Sequence, residues 1–228
     1  MGRVSSNSLY FRTGADRGRV KRLLVTALGC LSALGLICLV FVGTRAGQAL
    51  EQELLPGGGF GRPTVLLEPA RVVLSVFGKP PVLGALLGLV LLAGVLLGRW
   101  RAAVAGVGLF LVSVVAARSL KLLVPRPDLD VAGSTTHNSF PSGHVAAAMA
   151  LLLALLFASP ARARWWVAVP GMVGVVVIGL ATMIAGWHRP SDVLGSVLLV
   201  AALGCLLAAA LLGPLAGRRV SGMDGARG

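Results

Sequence analysis

Apolar residues in this chain come in long runs, and polar residues come in short clusters between them. A helix that crosses about 30 Å of hydrocarbon needs ~20 apolar residues. Six stretches meet or approach that length: Leu23–Gly43, Pro80–Gly98, Ala102–Leu120, Ser142–Ala158, Trp166–Trp187 and Pro190–Gly213. The pattern predicts an all-α polytopic membrane protein, a bundle of six transmembrane helices. Only a few residues separate the second run from the third and the fourth from the fifth, so each pair forms an antiparallel hairpin. Small residues at four-residue spacing, Gly84/Gly88 and Gly94/Gly98, permit close helix contact in lipid. The first run lacks an Ala-x-Ala cleavage site and reads as a retained span, not a removed signal peptide.

The division that follows is a basic cytoplasmic tail at 1–21, a six-helix membrane domain at 22–215 and a second cytoplasmic tail at 216–228. The longest connection, residues 44–79, contains a helical pattern of its own. Leu66, Ala70, Val73, Leu74 and Phe77 share one face, while Glu68, Arg71 and Ser75 share another. That amphipathicity predicts an interfacial helix on the outer leaflet, with Pro69 in its first turn.

Composition agrees with lipid as the solvent. Of 228 residues 56% are hydrophobic and 13% charged, about half the charged share of an average soluble domain. The net charge of +13 would suggest nucleic acid in a soluble protein, but no basic face is interleaved with stacking aromatics. No nucleic-acid partner is expected. Thirteen of the 21 Lys and Arg fall on the side of the two termini, tight against helix ends at Arg99, Arg101, Arg162 and Arg164; eight fall on the other. That asymmetry places both termini in the cytoplasm. Trp100, Trp165, Trp166 and Trp187 stand at predicted membrane edges, where amphipathic rings settle. Cys30, Cys38 and Cys205 lie inside apolar runs and read as small hydrophobes. Arg outnumbers Lys, and Ala, Gly, Val and Leu dominate, a composition typical of GC-rich bacterial genomes.

Three clusters interrupt the apolar runs with polar residues that a membrane rarely holds without function: Lys121 through Arg126-Pro127, Pro141-Ser142-Gly143-His144, and His188 through Asp192. In the derived topology all three reach the outer face. Ser142 can cap the helix that follows. The amides at that helix start, with its dipole, form an anion site. Lys121 and Arg126 supply fixed positive charge, and a guanidinium grips two phosphate oxygens at once. His188 and Asp192 are spaced so that the carboxylate fixes the imidazole tautomer, the logic of a catalytic triad moved to a histidine nucleophile. His144 is then free to act as a general acid. No further His, Asp, Glu or Cys cluster has metal-ligand spacing, so no metal or other cofactor is expected.

These motifs resemble the type 2 phosphatidic acid phosphatase superfamily of membrane lipid phosphatases, whose pattern is K-x6-R-P, then P-S-G-H, then S-R-x5-H-x3-D. The second motif is complete at Pro141–His144, and the third matches at His188 and Asp192. The resemblance covers Arg118 to Gly195. It implies a phosphohistidine on His188, leaving-group protonation by His144, and phosphate held by Lys121, Ser142 and the Gly143 amide. Two positions depart from the pattern. The Arg-Pro pair stands two residues early, with Asp128 where the family has arginine, and Ala181-Thr182 replaces Ser-Arg. An arginine at 182 would be expected to restore phosphate grip unless another arginine already fills its place, Arg189 and Arg118 being the candidates.

The expected activity is therefore hydrolysis of a lipid phosphate or diphosphate at the outer face of the plasma membrane. A lipid phosphotransferase on the same scaffold and a non-catalytic lipid-binding or transport protein stand as alternatives. Phosphatidate, phosphatidylglycerol phosphate and polyprenyl diphosphate fit equally, and no residue pattern specifies an oligomer.

Overall fold

A computed structural model describes residues 6–55, 65–131 and 137–224, with side chains described for 16–55, 65–131 and 137–212. The outermost parts of both expected tails, and Arg3, Arg62 and Arg227 of the charge count, lie outside the described residues. The described chain is all helical. The elements are α1 (Ser6–Ile37), extended by a π-helical turn Cys38–Val42, α2 (Arg45–Glu53), α3 (Leu67–Phe77), α4 (Pro80–Leu96), α5 (Trp100–Leu123), α6 (Gly143–Ala158), α7 (Arg164–Ile184) and α8 (Pro190–Asp224). Much of both tails is thus continuous with a membrane helix, since α1 starts at Ser6 and α8 runs to Asp224.

Each of the six apolar runs forms a helix, but their lengths differ. Asp16–Val42, Trp100–Leu123, Ala161–Ile184 and Pro190–Leu212 are long and apolar enough to cross a membrane. The pair α3 and α4, bent by 62°, supplies a fifth crossing if it is taken as one broken span. At 16 residues α6 rises only about 24 Å. Length and composition therefore give four to five candidate spans among the described residues, short of the expected six.

Burial explains why α6 can be short. It stands at the centre of the bundle, packed by α4, α5, α7 and α8. Its alanines Ala146, Ala147, Ala150, Ala154 and Ala158 are buried, and their small size lets neighbouring backbones approach. Leucines and valines of the outer helices, such as Leu28 and Val115, remain exposed, as surfaces solvated by lipid require. α1 packs along α8, and α3 lies against α7.

The connection 44–79 holds more structure than its pattern predicts. The helix expected in this connection forms as α3, with Ala70 and Leu74 buried and a Glu68–Arg71 ion pair of 3.1 Å on its exposed face. Leu66 and Val73, expected on the same face as Ala70 and Leu74, are exposed. A second helix, α2, precedes it. Thr44 caps α2 by accepting the Gly47 N–H at 3.0 Å.

Candidate active site

The carboxyl end of α7 aims the first site residue. Gly186 adopts φ +71°, which permits a Schellman closure: Gly186 N–H donates to Met183 O and Trp187 N–H to Thr182 O, both at 3.0 Å. The His188 N–H donates to the same Thr182 carbonyl at 3.2 Å. Pro190 then opens α8, its missing N–H harmless in the first turn. Asp192, two residues on, turns its carboxylate back: Oδ2 accepts the Arg189 N–H at 2.9 Å and lies 3.2 Å from Nδ1 of His188. With the carboxylate on Nδ1, Nε2 is the nitrogen left to face a substrate. Both side chains are buried, Asp192 completely. Ser139 stands close enough to act on that carboxylate, though its hydroxyl completes no hydrogen bond.

The start of α6 supplies the second group. Ser142 is its N-cap, with Oγ accepting the Val145 N–H at 3.4 Å, so the hydroxyl is committed to the helix. Gly143 is exposed, and His144 half-buried beside it. The His144 ring packs on Trp187 at 5.6 Å between centroids. α6 and α8 are locked at their starts. Ser142 N–H donates to Asp192 O at 3.1 Å, and the Ser196 hydroxyl lies 2.8 Å from Ser142 O and 2.7 Å from Asp192 O. Its one proton serves either carbonyl in turn.

Lys121, in the last turn of α5, is within electrostatic reach of both Asp192 and His144, and His144 is within reach of His188. Asn138 fixes the α5 end to the turn before α6: its Nδ2 donates to Lys121 O at 3.2 Å and Phe140 O at 3.0 Å, while its Oδ1 accepts the Phe140 N–H. Lys121, His144, His188 and Asp192 therefore meet at one end of the bundle, as the alternating helix directions required.

Arg126 is placed differently from the other phosphate-gripping candidates. Its guanidinium is fully buried and pairs with Glu51 of α2, 3.4 Å from Nη2 to Oε2. Nε and Nη1 complete no hydrogen bond. Glu51 Oε1 accepts the Ser191 N–H at 3.0 Å. Burial pushes the Glu51 carboxyl above its ordinary range, while the hydrogen bond from the Ser191 amide and the charge of Arg126 pull the other way. Gln48, one turn earlier, donates to Val42 O and Pro127 O at 2.9 and 3.1 Å. Neither Gln48 nor Glu51 was marked by the motifs. The available signal was a Thr-capped polar stretch with two amide or acid side chains three apart.

Of the two arginines proposed to stand in for the one missing at 182, Arg118 is exposed on α5, whereas Arg189 is buried and acts electrostatically on Arg126, Asp192 and Glu51. Among the described residues no group of three or more His, Cys, Asp or Glu is arranged to hold a metal. The three cysteines are unpaired thiols. Residues 101–213 match the family model described as PAP2 superfamily. No curated protein and no solved structure matches the chain.

Proposed function

This chain belongs to the PAP2 superfamily by its domain at residues 101–213, and from that premise we propose that it is a membrane lipid phosphate phosphatase working through a phosphohistidine. The observation that carries the reading is the meeting of His188, buried on Asp192 at 3.2 Å, with His144 and Lys121 at one end of the bundle.

In the proposed reaction Nε2 of His188 attacks phosphorus in line with the lipid alkoxide. The P–N bond forms as the P–O bond to the lipid breaks. His144, protonated, gives its proton to the departing oxygen. Asp192 holds the His188 ring and stabilises its cationic form. Lys121 and the amides of the α6 start, Gly143 foremost, neutralise the phosphoryl oxygens. Arg189 adds positive charge to the same end. In the second half His144, now neutral, takes a proton from water as that water attacks phosphorus. The P–N bond breaks, phosphate leaves, and both histidines return to their starting states.

The excess of Lys and Arg on the side of the termini supports an extracytoplasmic site in the plasma membrane, with six crossings once α4 and the short central α6 are both counted. A substrate with one end in lipid and a phosphate or diphosphate at the interface suits that placement. The test is phosphate release by purified protein from a panel of lipid phosphates and diphosphates, with chelator present and with vanadate as inhibitor. Release that persists in chelator, is blocked by vanadate and is lost in His188→Ala is the expected result. Full turnover by His188→Ala, or strict dependence on an added divalent ion, would overturn it.

A further inference from the structure

α8 begins without an acceptor of its own for its first free amide. Arg189 occupies the N-cap position, where a Ser, Thr, Asp or Asn side chain would ordinarily accept from the second or third residue of the helix. Pro190 has no N–H. Asp192, in the third helical position, makes one half of a capping box by accepting the Arg189 N–H. The Ser191 amide lies between them, and its acceptor is Glu51, 140 residues away in sequence.

Glu51 is completely buried, a costly location for a carboxylate unless charge and hydrogen bonds compensate it. Both compensations are present: Arg126 on Oε2 and the Ser191 amide on Oε1. The helix dipole at the α8 start favours the same negative charge. Arg126 in turn belongs to the segment that Gln48 ties down through Pro127 O. One face of α2 therefore joins the segment after α5 to the first turn of α8, the turn that carries Asp192 and sets the His188 ring.

We infer that Glu51 is a positioning residue of the active site: it caps α8 from outside the matched domain and, with Arg126 as its counter-charge, fixes the Asp192–His188 pair. This rests on the phosphatase reading and adds to it an element, α2, that lies beyond residues 101–213. Arg126 acts through Glu51 and not by touching phosphate.

Neutralising both charges together separates the cap from the ion pair. Glu51→Gln with Arg126→Met keeps an amide oxygen for Ser191, whereas Glu51→Ala with Arg126→Met removes it. Both double variants avoid a lone buried charge, so both are expected to fold, and turnover is read per folded protein. The expected result is kcat about tenfold or more lower in the alanine double than in the glutamine double, a hydrogen bond's worth, with KM and vanadate affinity alike in the two. The loss should be equal for good and poor leaving groups, because it lies in the nucleophile. Equal kcat in the two doubles while His188→Ala is inactive would overturn the assignment of Glu51 and leave the phosphatase reading standing. A matching rise in KM and loss of vanadate affinity in both doubles, with no difference in kcat, would also overturn it, by returning Arg126 to the phosphate. Full turnover in His188→Ala would overturn the phosphatase reading on which Glu51's role depends.

Discussion

Gly78, at the carboxyl end of α3, lies directly against His144: a Cβ at position 78 would approach Nε2 of that ring to 2.9 Å. The backbone there, φ −75° and ψ −7°, suits any residue, so the restriction is one of space. α3 thus reaches His144, the proposed general acid. Gly78→Ala should displace the His144 ring and slow turnover about tenfold, a part of the roughly 100- to 10,000-fold that a positioned acid contributes. The loss should fall mainly on substrates with poor leaving groups, since a good one departs without a proton. Steady-state rates with aryl and alkyl phosphates compared in both proteins check this.

Asp192→Asn is expected to act on the nucleophile. The amide oxygen can still accept the Arg189 N–H, so the α8 start survives. The negative charge that stabilises cationic His188 is lost. We expect kcat to fall by about 100-fold or more with KM little changed, and trapped phosphoenzyme to form at a correspondingly lower rate. A variant with near-normal kcat would remove Asp192 from the mechanism.

The apolar runs and the spacing of the histidine motifs made the helices and the convergence of Lys121, His144, His188 and Asp192 legible, because helix direction alone decides which ends meet. Crossing number was less legible. Run length does not distinguish a lipid-facing helix from one shielded by neighbours, as α6 is. Glu51 and Gln48 were not legible as site elements, because their partners, Ser191 N–H and Pro127 O, are backbone groups distant in sequence. Backbone partners leave no residue-type signature. Arg126 was read as a phosphate ligand from its neighbourhood in the chain, and only the fold places it on Glu51.

Thr182 shows the same limit. Its side chain is fully buried, and Oγ1 donates to Gly179 O at 2.7 Å, the local bonding expected of a helical threonine. Its carbonyl accepts both Trp187 and His188 amides. An arginine there would bring a charge into a completely buried position. Thr182→Arg should therefore destabilise the protein by on the order of 3–5 kcal/mol, the cost of an uncompensated buried charge. Turnover per folded molecule should not rise. Thermal unfolding in detergent and vanadate binding measure the two effects; tighter vanadate binding at unchanged stability would restore the missing-clamp reading.

Glu51 makes stability depend on pH. Its carboxyl is raised from an ordinary value of 4.5 chiefly by burial, so the folded state holds the proton more firmly than the unfolded one. Between that value and the raised one, folding takes up protons, and stability falls as pH rises. The glutamine–methionine double at Glu51 and Arg126 lacks this titration. Its unfolding temperature relative to the native protein should therefore improve as pH is raised above about 4.5 and through the raised value. A gap that stays constant, or moves the other way, would mean that Arg126 outweighs burial in setting the ionisation of Glu51.

Orientation is open to direct test with single cysteines, after Cys30, Cys38 and Cys205 are replaced. Asp128 is exposed just beyond α5, on the end that holds Lys121, and Arg162 is exposed between α6 and α7, at the opposite end. If the Lys and Arg asymmetry fixes topology, Asp128→Cys should react with a membrane-impermeant maleimide in intact cells. Arg162→Cys should react only after permeabilisation. The two positions flank α6, so opposite labelling would also establish that this 16-residue helix crosses the membrane, the crossing that its length leaves open. Labelling of both from outside would make α6 re-entrant. Labelling of Arg162→Cys alone would turn His188 and His144 toward the cytoplasm, and the substrate pool would then be the lipid phosphates of the inner leaflet.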